Sequence, residues 1–263
     1  MNWKIGVIGF GNMAQAMIGG WIKCGAIDKN DVYVCAAHYD KLCRSAEKYG
    51  VNPCRTIAEV CEKSDMILLA IKPYQMEKVI PEVKEMMKDK VVVSVVSSWM
   101  FDRMETVLSE GTHHISICPN TPVAVCEGII IVQDKHSLSD DEYTALMNLL
   151  SQIALVEVMD EQHIGIGGTL SGATPAYAAM FIEALGDAGV KHGLTRAQAY
   201  RLAAKMIQGT GKLYLEEGNH PGTMKDAVCS PGGITITGVE ALERNGFRFA
   251  VMDAINACQA KKM

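Results

Sequence analysis

One short stretch near the N-terminus limits the folds open to this 263-residue chain more than any other. Residues 4–20 read K-I-G-V-I-G-F-G-N-M-A-Q-A-M-I-G-G. Ile5, Val7 and Ile8 make a buried strand, Gly9-Phe10-Gly11 a turn, and Asn12 onward a helix whose Met13, Met17 and Ile18 can face a sheet. The spacing of Gly9, Gly11 and Ala14 is G-x-G-x-x-A, and strand, turn and helix follow in the order a dinucleotide site requires. Gly9 serves the tight turn, and Gly11 lets backbone approach a pyrophosphate. Ala14 lets helix and strand pack closely, with the helix N-terminus aimed at the phosphates.

The rest of the first half supports that reading. Apolar strands recur at 31–36, 66–71, 91–96, 115–118, 128–132 and 154–159, with helical segments at 39–49, 56–62, 75–87, 102–109 and 139–151. Strand and helix in alternation specify a doubly wound α/β domain, and unbroken runs such as M-I-L-L-A-I suit a sheet covered on both faces. Thr56 with Glu59 and Ser139 with Glu142 have capping-box spacing. From Asp160 onward the pattern becomes helical, at 161–170, 175–190, 195–217, 223–228 and 235–259; the I-T-I-T at 234–237 alone reads as strand-like. The domains are therefore expected at 1–159 and 160–263. The helix at 195–217 would span about 35 Å at about 1.5 Å per residue. Its broad apolar surface calls for burial beyond its own small domain, which predicts oligomerisation through this half.

Composition removes several classes of function. A net charge of −5 gives no electrostatic basis for nucleic acid or an anionic membrane. No apolar run has transmembrane length, and the N-terminus lacks a signal-like pattern, so the expected location is the cytoplasm. The nine cysteines are odd in number, irregularly spaced and without a C-x-x-C pair, so they are read as reduced, with no zinc or dithiol site. The adjacent His113 and His114 lack companions at metal-ligand spacing and are read as structural. No metal site is expected.

Candidate site residues lie at strand ends, where such sheets bind ligands. The second strand ends at Ala36-Ala37 without the carboxylate that holds an NAD ribose. His38 follows and could hydrogen-bond a 2′-phosphate, with Lys41 or Arg44 to pair with it and Asp40 as the dissenting charge. This favours NADPH, with NADH as the other possibility. Lys72-Pro73-Tyr74 closes the next strand, and Asn120 sits in the rigid P-N-T-P loop, where its amide would suit a nicotinamide amide or a substrate carboxylate. In the helical half, Cys229-Ser230-Pro231-Gly232-Gly233-Ile234-Thr235 stands out. Pro-Gly-Gly presents backbone amides that can hold a carboxylate, and Ser230 and Thr235 add hydroxyls.

These motifs resemble the pyrroline-5-carboxylate reductase family over almost the whole chain. The likeness is carried by I-G-F-G-N-M-A (8–14), A-I-K-P (70–73), P-N-T-P (119–122), L-S-G-A-T-P-A-Y (170–177), G-V-K-H-G-L (189–194), H-P-G (220–222), K-D (225–226), S-P-G-G-I-T (230–235) and L-E-R-N-G-F-R (242–248). The resemblance implies a Rossmann-type dinucleotide-binding domain and an all-helical C-terminal dimerisation domain, with dimers that often assemble as pentamers of dimers. It implies hydride transfer to L-1-pyrroline-5-carboxylate giving L-proline, usually from NADPH. It also implies a cofactor lying on Gly9, Phe10, Gly11, Asn12 and Met13, with Ala70, Lys72 and Pro73 beside it and Asn120 near the nicotinamide. The substrate carboxylate would meet the Gly232 and Gly233 amides and nearby hydroxyls, with Thr235 by the ring nitrogen. The chain departs from the family pattern at Thr174 and Trp99, where glycine is usual, and at His38-Tyr39, where Asn-Arg is usual. A β-hydroxyacid dehydrogenase would share the architecture but needs a basic residue after Gly172, and residues 173–190 contain no Lys, Arg or His. Reduction of a related cyclic imino acid is the other alternative.

Overall fold

The computed structural model describes residues 3–261. The chain packs as two compact units, one ending at Gly172 and one beginning at Ala173. In the first, β1 (Ile5–Ile8), α1 (Asn12–Cys24), β2 (Val32–Cys35), α2 (Tyr39–Tyr49), β3 (Asn52–Pro53), α3 (Ile57–Lys63), β4 (Met66–Leu69), α4 (Met76–Val83) and β5 (Val91–Ser94) alternate as expected. Then come α5 (Phe101–Glu105), β6 (His113–Pro119), β7 (Gly128–Gln133), α6 (Asp140–Leu150), β8 (Ala154–Met159) and α7 (Glu161–Gly172).

The eight strands form one sheet in the order β3-β2-β1-β4-β5-β6-β7-β8, parallel except where β6 meets β7. The order reverses at β1, whose Ile8 lies level with Cys35 of β2 and Leu69 of β4. A crevice at such a reversal, at the carboxyl ends of the strands, is where open α/β sheets hold ligands. Both faces of the sheet are buried. Ile5, Val7, Met66, Leu68, Val91 and Val93 enter one core layer, and Ile8, Ile67, Leu69 and Val92 enter the other. This is the period-two alternation of a strand, apolar on both faces. Trp21, fully buried, ties α1 to α6 by donating from Nε1 to the Leu149 carbonyl at 2.9 Å.

Local chemistry explains the helix ends. Ser139 begins α6, and Thr195 the helix Arg196–Glu217, with complete capping boxes, to Glu142 and Gln198. At Thr56 the box is half made: its hydroxyl accepts from Glu59 N, while Glu59 Oε2 accepts from Arg55 N rather than from Thr56. The helix expected over 75–87 is shorter. Pro81 lies inside α4, and beyond Val83 the chain continues as a 3-10 turn over Lys84–Met87. The missing N–H of proline removes an intrahelical bond, and the tighter turn takes over.

The second unit is helical: α8 (Thr174–Lys191), α9 (Arg196–Glu217), α10 (Pro221–Ala227), α11 (Ile234–Arg244) and α12 (Phe247–Ala260). Two expectations are corrected here. Residues 234–237 are not strand-like; they form the first turn of α11. Alternating Ile and Thr specify a strand only where a partner strand is available, and none lies in this unit among the described residues. The helix expected over 235–259 is two helices, parted at Asn245-Gly246, with Gly246 at φ 72°. Large apolar side chains stay exposed throughout, among them Met180, Leu202, Leu215, Phe249 and Met252. A surface this apolar is the mark of an interface.

Candidate active site

A cleft of about 480 Å³ opens over the carboxyl ends of β1, β2 and β4. Gly9 makes its floor possible. Its φ is +95°, and a Cβ there would stand 2.7 Å from the Ala70 carbonyl oxygen. Backbone bonds brace this turn from both sides: Gly9 N donates to the Cys35 carbonyl, and Ala70 N donates to the Ile8 carbonyl, each at 2.9 Å. Gly11 is the N-cap of α1 and brings no side chain to that cap, and open space lies where its Cβ would be. The first amides of α1 are therefore left for an outside acceptor, the arrangement that suits a phosphate. The glycine turn and the uncapped start of α1 fit the pyrophosphate of a dinucleotide.

Of the residues nominated from sequence, Gly9, Phe10, Gly11, His38, Ala70 and Lys72 line this cleft together. So does Lys41, while Arg44 and Asp40 do not line it. Ser45, Arg55 and Gln75 also line it, and sequence reasoning passed them over. Arg55 follows the two-residue strand β3, too short to leave a pattern. No Asp or Glu is among the lining residues. Cys35 is part of the wall, and burial pushes its thiol up to about 12, so it stays a protonated, unreactive thiol at neutral pH.

Asn12 and Met13 open α1, and Pro73 opens a 3-10 turn over Pro73–Gln75. Pro73 is held from behind, because its carbonyl accepts from Trp99 Nε1 at 3.2 Å. The indole that replaces a glycine thus does not obstruct the cleft; it is 1% exposed and part of the second core layer. Asn120 is 5% exposed and is bonded to backbone at both ends of its amide. Its Nδ2 donates to the Ser171 carbonyl at 3.0 Å, and its Oδ1 accepts from Ile129 N at 2.8 Å. Its amide braces the loop between β6 and β7 against α7.

The loop before α11 is a tight turn with Pro231 and Gly232 at its centre. Gly232 has φ +69°, and Gly233 N donates to the Ser230 carbonyl at 3.0 Å. Proline followed by a positive-φ glycine is the type II pattern. A side chain on Gly233 would run into Ser230 Oγ. The Gly233 amide is thereby closed within the turn. Gly233 is the N-cap of α11 with no side chain to offer, so the amides of Ile234, Thr235 and Ile236 begin an uncapped helix. Thr235 is inside the first turn and is exposed; it does not cap the helix. Among the described residues, no group of three or more His, Cys, Asp or Glu side chains could hold a metal ion, and no helix is long and apolar enough to cross a membrane.

A parallel sheet whose order reverses at a phosphate-ready cleft, followed by a helical unit with an exposed apolar surface, is the architecture of a dinucleotide-binding protein with an interface on its C-terminal part. Comparison with known proteins sharpens this. Residues 161–263 match the model for pyrroline-5-carboxylate reductase dimerisation, and residues 4–98 match that for NADP oxidoreductase, coenzyme F420-dependent. The pyrroline-5-carboxylate reductase of Treponema pallidum is 41% identical, covering 97% of this chain and 98% of its own. That of Escherichia coli is 38% identical, over 99% and 97%. The crystal structure of the Plasmodium falciparum pyrroline carboxylate reductase with NADP bound superposes with a TM-score of 0.88 at 27% identity, covering 99% of this chain and 97% of that one. The chain belongs to the pyrroline-5-carboxylate reductase family. Its activity is that of a reductase in proline biosynthesis, and residues 161–263 are its oligomerisation region.

Proposed function

We propose that the chain reduces L-1-pyrroline-5-carboxylate to L-proline with NADPH in preference to NADH. The observation that carries the choice of cofactor is the end of β2. Ala36 and Ala37 supply no carboxylate, none stands elsewhere in the lining, and His38 and Lys41 are both in the wall. A ribose 2′-OH has no acceptor to favour it there, whereas a 2′-phosphate meets donors and positive charge.

The dinucleotide lies over Gly9, Phe10, Gly11, Asn12 and Met13, with its pyrophosphate on the first amides of α1. Ala70, Lys72 and Pro73 border it, and Asn120 acts by fixing the neighbouring loop. Bound NADPH supplies the hydride that the imine carbon accepts. The protein has no nucleophile to generate, so its work is to orient the imine, hold its carboxylate and exclude water. The carboxylate is held by the loop before α11. With the Gly233 N–H closed onto Ser230, the acceptor-seeking amides are those that open α11, presented by the Pro231-Gly232-Gly233 turn and flanked by the Ser230 hydroxyl. Thr235 places a hydroxyl at the ring nitrogen, where it orients the imine and passes on a proton from solvent. The chain forms homodimers through residues 161–263, with pentamers of dimers as the full assembly, and works in the cytoplasm on a small-molecule substrate.

Steady-state kinetics with pyrroline-5-carboxylate test this. NADPH is expected to exceed NADH in kcat/KM by about tenfold or more, equivalent to about 1.4 kcal/mol. A tenfold advantage for NADH would overturn the reading of the strand end.

A further inference from the structure

We propose that Arg55, stacked on the ring of Tyr39, is the residue that grips the 2′-phosphate of the cofactor. The inference rests on the NADPH reading above and assigns the preference to a side chain outside the β2 strand end.

Strand register places Arg55. β3 pairs in parallel with β2, Tyr33 against Asn52 and Val34 against Pro53. Cys54 N extends the pairing by donating to the Val34 carbonyl at 2.8 Å. Arg55 therefore leaves the sheet level with Ala36, at the end of β2 where the adenosine ribose of such cofactors lies. Its backbone is fixed, since Arg55 N donates to Glu59 Oε2 at 2.8 Å and the next residue caps α3. The side chain is fixed as well. Its guanidinium carbon lies 4.3 Å from the centroid of Tyr39, the first residue of α2. That distance is within the range of cation–π stacking.

Stacking covers one face of the guanidinium and leaves its edges, which carry the donors, open to the cleft. Among the described residues no carboxylate forms an ion pair with Arg55, and Glu59 is engaged with backbone. Lys41 and Ser45, four residues apart on one face of α2, line the same wall together with His38. This is an electropositive corner without an acid in its lining. A planar fork already held in place matches a phosphate monoester bidentately and loses little rotamer freedom in doing so. His38 and Lys41 add charge, but neither supplies such a fork.

Calorimetry with 2′,5′-ADP and 5′-AMP as probes isolates the phosphate from the rest of the cofactor. Wild type is expected to bind 2′,5′-ADP more tightly than 5′-AMP by about tenfold or more, the range of a charged hydrogen-bonded contact. Arg55→Met should remove about tenfold from 2′,5′-ADP affinity and change 5′-AMP affinity by less than about twofold. Arg55→Lys, which keeps the charge without the fork, should fall between wild type and Arg55→Met. Tyr39→Leu should weaken 2′,5′-ADP by about threefold, because Tyr39 positions the arginine. Arg44→Met removes the same charge from a residue outside the cleft lining and should leave the discrimination intact. If wild type discriminates and Arg55→Met or Arg55→Lys keeps the full ratio, the assignment to Arg55 is overturned and the NADPH reading stands on His38 and Lys41. If Arg44→Met matches Arg55→Met, the effect is general charge and the assignment is overturned likewise. If wild type binds both probes equally, both readings are overturned together.

Discussion

Replacing Asn120 by alanine separates two roles that the sequence leaves open. The side chain is buried and makes two hydrogen bonds, to the Ser171 carbonyl and from Ile129 N. Alanine strands both backbone groups away from water. Each unsatisfied buried group costs about 1–3 kcal/mol, so the two together cost about 2–6 kcal/mol. For a chain of this size about 1 kcal/mol moves Tm by about 2–4 °C, which predicts a fall of about 4–24 °C. Asn120→Asp keeps an acceptor for Ile129 N but offers the Ser171 carbonyl a carboxylate instead of a donor, so it should also destabilise. Scanning calorimetry measures both variants against wild type at one protein concentration, because association raises Tm by mass action. A Tm within about 2 °C of wild type, joined to a tenfold loss of turnover, would refute the bracing role and return Asn120 to direct contact with the nicotinamide.

Thr235→Val removes a hydroxyl that the structure does not use as a helix cap, since Gly233 holds that position. It should lower kcat by about ten- to a hundredfold, leave 2′,5′-ADP binding unchanged and shift Tm very little. Turnover within twofold of wild type would move the role to Ser230 or a bound water. His114 gives a pH signature. It is fully buried, its Nε2 bonds Glu105, and its Nδ1 has no partner among the described residues. Burial holds its pKa below the ordinary 6.5, so the folded chain keeps it neutral while the unfolded chain protonates as pH falls. Its contribution is complete above pH 6.5 and is lost as pH drops toward the folded value, by up to about 1.4 kcal/mol per pH unit. Denaturant titrations between pH 7 and 5 should show a shallower slope for His114→Asn; an unchanged slope would exclude His114 as the source.

Much of the fold was legible because its signals are local. Capping pairs such as Ser139 with Glu142 and Thr56 with Glu59 act within three residues, and the structure completes the first and makes half of the second. The apolar runs at β1, β4 and β5 could only be strands covered on both sides. Where local signals conflicted, the reading failed. Ile234–Thr237 alternates like a strand, but the turn before it starts a helix, and with no neighbouring strand the helix prevails. The break falls at Asn245-Gly246, an Asn-Gly turn signal outweighed in the reading by the helical pattern on either side.

The candidate site divides along the same line. Gly9, Gly11 and Ala14 announced a phosphate-binding turn because the geometry of that turn is set by residues within one strand and one helix. The missing acid at Ala36-Ala37 and the Pro-Gly-Gly turn are likewise properties of a few consecutive residues. What no local pattern could fix is which groups meet across the chain. Asn120 is bonded to Ser171, 51 positions away, a bracing contact that no local pattern announces. Trp99 reaches back 26 positions to hold Pro73 and is part of the core, which its departure from a usual glycine did not reveal. Arg55 reaches the cleft only because β3 adds to the outer edge of β2 and sets its exit level with Ala36. The sequence by itself determined most of the elements, the phosphate turn and the family, through spacing and turn chemistry that act over a few residues. Tertiary structure alone decided which polar atoms are already satisfied and which remain open for a ligand, because that accounting depends on partners brought together by the packing of the sheet.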